Sequence, residues 1–280
     1  MKTPIIQSMT TMEEKHPARH NRWRSLVFIP IGLLLIGWLL NTPAGLLGKA
    51  DAIGYAVCHR IGLRSFYFGD RQLPLCARCT GMYLGAMLGL VYQLVIGPKR
   101  TGVPPRGVIV VFISFVLFFG VDGVNSFASL FPGVPFLYQP QNWLRLLSGT
   151  GMGLAVSAAI FPAFNQTVWS TEDQSPTLSG FRSLGLLLFF GLLVDALVLS
   201  GNPLILYPLA IISAAGVLVL LTMTYTMVWL LVLKHENRIS NLVELTLPVL
   251  GGFALSLVQI GLLDLGRYLL TGTWDGFHLG

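Results

Sequence analysis

Apolar residues in this chain gather in long continuous runs and do not alternate with polar ones. The runs are Ser25–Leu40, Cys79–Ile96, Val108–Leu130, Trp143–Phe164, Ser183–Leu199, Leu209–Leu233 and Leu242–Leu263. A helix needs about 20 apolar residues to cross a bilayer, and most of the runs approach that length. A transmembrane barrel strand would show period-two alternation, which is missing here. The pattern therefore predicts an all-α fold, a polytopic transmembrane helix bundle of about seven spans (25–40, 79–96, 108–130, 143–164, 183–199, 209–233 and 242–263) within a membrane domain of residues 25–270. The breaks are rich in Pro, Gly and charge, as in Gly97-Pro98-Lys99-Arg100 and Lys234-His235-Glu236-Asn237-Arg238. Residues 1–24 read as a polar basic tail carrying Lys2, Lys15, Arg19, Arg22 and Arg24. A basic start before a short apolar run also suits a secretory signal, but no small-x-small cleavage site follows Asn41, which favours a retained first span.

Composition sharpens this picture. Hydrophobic residues make up 54% of the chain and charged ones 11%, against about 25% charged in a soluble domain. Lipid must then be the solvent for much of the surface, and no room is left for a separate soluble domain. The 31 glycines fit, because small residues let membrane helices approach closely. A net charge of +6 could suggest nucleic acid, yet the basic residues are spread over tail and loops and form no basic face. The partner expected is the lipid bilayer. The tail, Lys99, Arg100, Arg106, Arg182, Lys234 and Arg238 outnumber the basic residues of the other segments. Positive-inside bias thus places the amino terminus in the cytoplasm and the first loop outside a multi-pass cell membrane protein. In that orientation Asp122, Asp195, Asp264 and Arg145 fall toward the same side as the first loop, while Glu244 does not.

That loop, residues 44–81, holds the candidate chemistry, and its first part, Ala44–His59, is expected to form a short interfacial helix. The chain's three cysteines, Cys58, Cys76 and Cys79, all lie in the loop. With His59 they offer the donors of a closed zinc site, although adjacent residues such as Cys58 and His59 rarely share one metal. A three-Cys site with an open position, or copper(I), suits the same donors. Thiol redox is the rival: a Cys-x-x-Cys at a helix start meets the positive end of the dipole, and Cys58 would serve as the resolving thiol. A structural disulfide between two of the three also remains open. Arg60, Arg64 and Arg78 are candidates for binding an anion or lipid headgroup, with Arg71 nearby. Within the spans, Asp122, Asn125, Arg145 and Asp195 are costly in hydrocarbon unless paired or wet. Arg145 is the expected partner of Asp122, and Asp264 with Arg267 reads as a surface pair. His235 and Glu236 read as a solvated loop.

Cys58-His59-Arg60, then Arg64-Ser65-Phe66, then Pro74-Leu75-Cys76-Ala77-Arg78-Cys79-Thr80-Gly81 form a pattern. The pattern resembles a prokaryotic family of predicted multi-pass membrane proteins, a domain of unknown function with a Cys-His and a Pro-Leu-Cys-x-Arg-Cys-x-Gly signature. The resemblance runs over about residues 50–165 and takes in Asn142, Arg145, Gly149 and Gly153. It implies a membrane fold and carries no activity with it. Three function classes stay open: a membrane metal-binding protein, including an enzyme on a lipid-linked or anionic substrate; a thiol–disulfide oxidoreductase; and a transporter using intramembrane Asp and Arg. A transporter would be expected to show stronger internal symmetry than the weak echo between Phe118-Phe119-Gly120-Val121-Asp122 and Phe189-Phe190-Gly191-Leu192-Leu193-Val194-Asp195.

Overall fold

The computed structural model describes residues 17–274, with side chains from Phe28 onward. Among these residues the chain forms eight helices: α1 (Pro17–Asn41), α2 (Gly45–Val57), α3 (Ala77–Ile96), α4 (Arg106–Ala128), α5 (Asn142–Val168), α6 (Phe181–Leu199), α7 (Pro203–Val232) and α8 (Leu242–Thr271). Six of them, α3 to α8, are long and apolar enough to cross a membrane, and α1 with α2, bent by 101° at their junction, makes a seventh if counted as one span. Four short strands complete the fold: β1 (Tyr67–Phe68), β2 (Arg71–Gln72), β3 (Arg100–Gly102) and β4 (Asp173–Pro176). Part of the basic tail, residues 1–16, lies outside the described residues, and the rest of it already belongs to α1.

The helices turn their polar positions inward and their apolar positions out, as expected where hydrocarbon surrounds the bundle. On α4, Val110, Ile113, Leu117, Val121 and Val124 are exposed, whereas Asp122, Asn125 and Ser126 are buried. The closest pair is α3 with α5. Gly81, Gly85 and Gly89 recur every four residues along α3, facing Gly149, Gly153 and Ser157 of α5. A Cβ at Gly81 or Gly85 would overlap the carbonyl of Leu146 or Thr150, and one at Gly149 or Gly153 that of Arg78 or Met82. Backbone therefore meets backbone along this seam, the arrangement that small residues permit in membrane helices. Gln93 closes its far end, donating to the Ser157 carbonyl at 2.9 Å and accepting from Thr177 Oγ1 at 2.9 Å.

At the sharp α1–α2 junction, orphaned helix-end carbonyls need donors. Lys49 supplies them, reaching the Leu39 carbonyl and, at 2.9 Å, that of Thr42. The expected interfacial helix is present as α2, but seven of its residues are buried, including Ala50, Ile53 and Tyr55, so it packs into the bundle. Helix direction alternates, so α2, the starts of α3, α5 and α7, and the ends of α4, α6 and α8 gather at one end of the bundle. The opposite end is tied by the parallel pairing of β3 with β4 and by Asn165, which donates to the Arg100 carbonyl at 2.9 Å.

Candidate metal centre

Cys76 is the N-cap of α3, and Cys79 stands three residues further on in the first turn, so both sulfurs lie at the helix rim. Cys58 arrives from the other side as the C-cap of α2. The two helix ends meet because Gly54 of α2 lies against the Pro74 carbonyl, where any Cβ would overlap it. The Cys76 N–H donates to Cys58 Sγ at 3.3 Å. All three thiols are free, and their sulfurs lie within 4.8 Å of one another. Tetrahedral thiolates about a zinc ion stand roughly 3.8 Å apart, at Zn–S distances of about 2.3 Å, so the cluster is close to a ligating geometry. Three cysteines so placed could hold a metal ion.

Electrostatics favour a thiolate here. The neighbouring thiols of Cys76 and then Cys79 hold the Cys58 pKa well below the usual thiol range, against the opposing effect of burial. Cys76, whose proton is engaged with Cys58, is pushed up to about 12. The pocket is apolar, with Ala50, Ile53, Leu75, Ala214, Val217 and Ile260 packed around Cys58 and Cys76. A cation borders this apolar shell. Arg267 of α8 donates to the carbonyls of Tyr55 and Cys58, each at 2.6 Å, and stacks over the Tyr55 ring at 4.1 Å. It thereby caps the carboxyl end of α2, where a positive charge complements the dipole, and fixes the backbone that carries Cys58.

His59 does not join the three sulfurs. Cys58 is extended, with φ −130° and ψ 143°, and adjacent side chains on extended backbone point to opposite sides. His59 Nδ1 instead accepts the N–H of Ile61 at 3.0 Å, and burial lowers the pKa of its imidazole. The turn after it is tight: Arg60 lies in the left-handed region at φ 52°.

The charged residues sort differently from the sequence expectation. Asp122 pairs with Arg78 and not with Arg145. Arg78 Nε donates to its carboxylate at 3.0 Å, its Nη2 reaches the same oxygen, and Tyr138 donates to the other oxygen at 2.8 Å. Helix α3 begins at Ala77, two residues before the predicted span, which makes Arg78 a first-turn residue facing α4. Arg60 and Arg71 both bind Asp51, at 2.9 and 2.6 Å. Asn125 is a loop clamp, accepting from Leu137 N–H at 2.6 Å and donating to the Tyr138 carbonyl at 2.9 Å. Asp195 accepts from Thr150 at 2.6 Å and lines an otherwise apolar cavity of about 260 Å³ with Phe115, Phe118 and Leu188. Asp264 is buried and so is not part of an exposed surface pair.

Arg64 and Arg145 are both buried and meet at Ser126 of α4. Arg64 donates to its carbonyl at 2.5 Å, and Arg145 to its hydroxyl from Nε at 3.0 Å and Nη2 at 2.9 Å. Arg145 also donates to Asn142 Oδ1 at 2.7 Å. Ser126, Tyr138 and Ser148, the last of which donates to Asp122 at 3.3 Å, have no role in the sequence reading, and Arg267 is paired there with Asp264 and not with the α2 carbonyls. Ser126, four residues from Asp122 on α4, is the one that helical spacing points to.

This arrangement falls in a stretch of chain shared with known proteins. Residues 58–159 match the family described as predicted membrane protein (DUF2085). The chain is 32% identical over 102 residues to an uncharacterized protein of Methanothermobacter thermautotrophicus, a match spanning 36% of this chain and 82% of that protein. It is 24% identical over 119 residues to an uncharacterized protein of Methanocaldococcus jannaschii, spanning 42% of this chain and 70% of the relative. No solved structure matches. The chain belongs to this family of membrane proteins. The matched segment holds all three cysteines with Arg64, Arg78, Asp122 and Arg145, while α7 and α8, which wall the cysteines, lie beyond it.

Proposed function

We propose that the protein is a membrane metalloprotein in which Cys58, Cys76 and Cys79 bind one thiophilic ion, zinc or copper(I), with one coordination position open. The supporting observation is the convergence of three free sulfurs within 4.8 Å of one another in an apolar pocket. Three thiolates and a divalent zinc carry a net negative charge, which Arg267, on the Cys58 carbonyl, partly offsets. An open fourth position is the mark of sites that act on a ligand, in contrast with closed structural sites. Full-length protein purified without chelator should contain about one equivalent of metal by elemental analysis. Cys76→Ser should abolish it and His59→Ala leave it unchanged. Less than about a tenth of an equivalent in the wild type would refute the reading.

Thiol–disulfide exchange is the second reading, favoured by the stabilised thiolate of Cys58 beside two thiols. It requires that alkylatable thiols follow the applied potential and ignore chelators. The orientation read from charge bias places this end of the bundle outside the cytoplasm. A reporter fused after Gly97 should read cytoplasmic and one within 133–139 external; the reverse at both sites inverts the assignment.

A further inference from the structure

Arg64, Arg78 and Arg145 converge on the end of α4 with one carboxylate among them, Asp122, and Arg78 occupies it. Among the described residues, Arg64 and Arg145 make no ion pair with an acidic side chain, yet they are only 9% and 6% exposed. Hydrogen bonds donated to Ser126 and Asn142 satisfy N–H groups but cancel no charge. Two neighbouring guanidiniums in low dielectric repel, and an uncompensated buried charge costs several kcal/mol. Burial itself lowers the Arg64 pKa, with Arg78 acting in the same direction. Such an arrangement asks for an anion.

There is space for one. Arg64 and Arg145 both line a cavity of about 500 Å³ between the first loop and the α4–α5 connection. The amino-terminal turn of α5 stands beside it, its N-cap Gln141 making no side-chain cap, so the positive end of that helix adds to the field. Apart from Ser129 and Gln139, the other walls are apolar, chiefly Leu63, Phe127, Phe131 and Phe136. Of these, Leu63, Phe127, Phe131 and Phe136 are exposed at the rim, at the end of helices whose outer faces meet lipid. A cationic floor under an apolar rim suits an amphiphile better than a free ion.

We infer that Arg64 and Arg145 form the binding site for a phosphate monoester carried on a lipid, its headgroup between the two guanidiniums and its chain along Leu63 and Phe131. Arg pairs bind phosphate oxygens through parallel N–H donors, and Arg145 keeps its register because Ser126 and Asn142 hold it. The site uses none of the metal ligands and stands or falls apart from the metal reading.

The test is thermal unfolding of the detergent-solubilised full chain, titrated with short-chain phosphatidic acid, short-chain phosphatidylcholine or inorganic phosphate. Phosphatidic acid should raise Tm saturably and phosphatidylcholine should not. Arg64→Gln and Arg145→Gln should each weaken the phosphatidic acid response about tenfold. Should one variant fail to fold, the other carries the same test, since the two arginines come from separate elements. Equal shifts from phosphatidic acid and phosphatidylcholine, or wild-type affinity in both variants, would overturn the site. A full response to inorganic phosphate alone would overturn the lipid assignment.

Discussion

Both ends of the bundle carry arginine–aspartate bridges, and Arg78–Asp122 at one end and Arg100–Asp173 at the other are built on opposite terms. Arg78–Asp122 joins α3 to α4 with the carboxylate fully buried and a tyrosine on its second oxygen. Arg100–Asp173 joins β3 to β4 at 3.3 Å with the side chains 32% and 55% exposed. Water screens the second pair and competes for both groups, so it contributes little. The first pair has no such escape, because removing one partner strands the other in low dielectric. The contrast extends to what surrounds each pair. At one end cysteines, arginines and a cavity are packed against the bridge, while at the other Lys99 lies over Trp169 at 4.3 Å and backbone pairing does the joining. Ionic groups that had to be buried mark the end where a ligand would act, and the exposed pair marks a seam.

The largest effect expected from this contrast is at Asp122. Asp122→Asn should destabilise the solubilised protein by about 3–5 kcal/mol, and combining it with Arg78→Gln should recover part of that loss. Strictly additive losses would break the pairing. Next comes Arg267→Gln, which removes charged hydrogen bonds to the Tyr55 and Cys58 carbonyls. A loss of about 1.5–3 kcal/mol is expected, together with faster release of metal to a chelator. Unchanged release would mean that α8 does not position Cys58. The smallest effect is at the opposite end, where Asp173→Asn should leave Tm unchanged within measurement. If it matched Asp122→Asn, the difference between the two ends would be lost.

The spans were legible because hydrocarbon demands continuous apolar runs, although α7 begins at Pro203, before the run at Leu209–Leu233 that predicts it. The cysteines were legible as a group for a similar reason: a Cys-x-x-Cys at a helix start has little conformational freedom. Partners were not. The choice between Arg78 and Arg145 for Asp122 depends on where α3 begins and on which face of α4 the glycine seam presents to it. A two-residue error in the helix start moved Arg78 from first turn to loop. His59 failed as a ligand through backbone geometry that adjacency alone conceals, since an extended Cys58 sends the next side chain away. Asp264 read as exposed because a span end is where charge usually meets water, and the packing of α8 into the bundle buries it. Glycines spaced four apart on α3 and α5 were the unused signal, and they would have set these two helices in contact from the sequence alone.

One contact made by α8 bears on how the protein comes into being. Cys58 emerges from the ribosome early, but the guanidinium that holds its carbonyl belongs to residue 267, separated from it by 209 positions. Segments fold in the order of synthesis where they can. The cysteine pocket, however, also needs Ala214 and Val217 from α7 and Ile260 from α8 for its walls. On the proposed metal reading, loading of an ion would be an event of late biogenesis, after α8 has entered the membrane. A chain truncated before α8 would lack both Ile260 and the guanidinium that holds the Cys58 carbonyl.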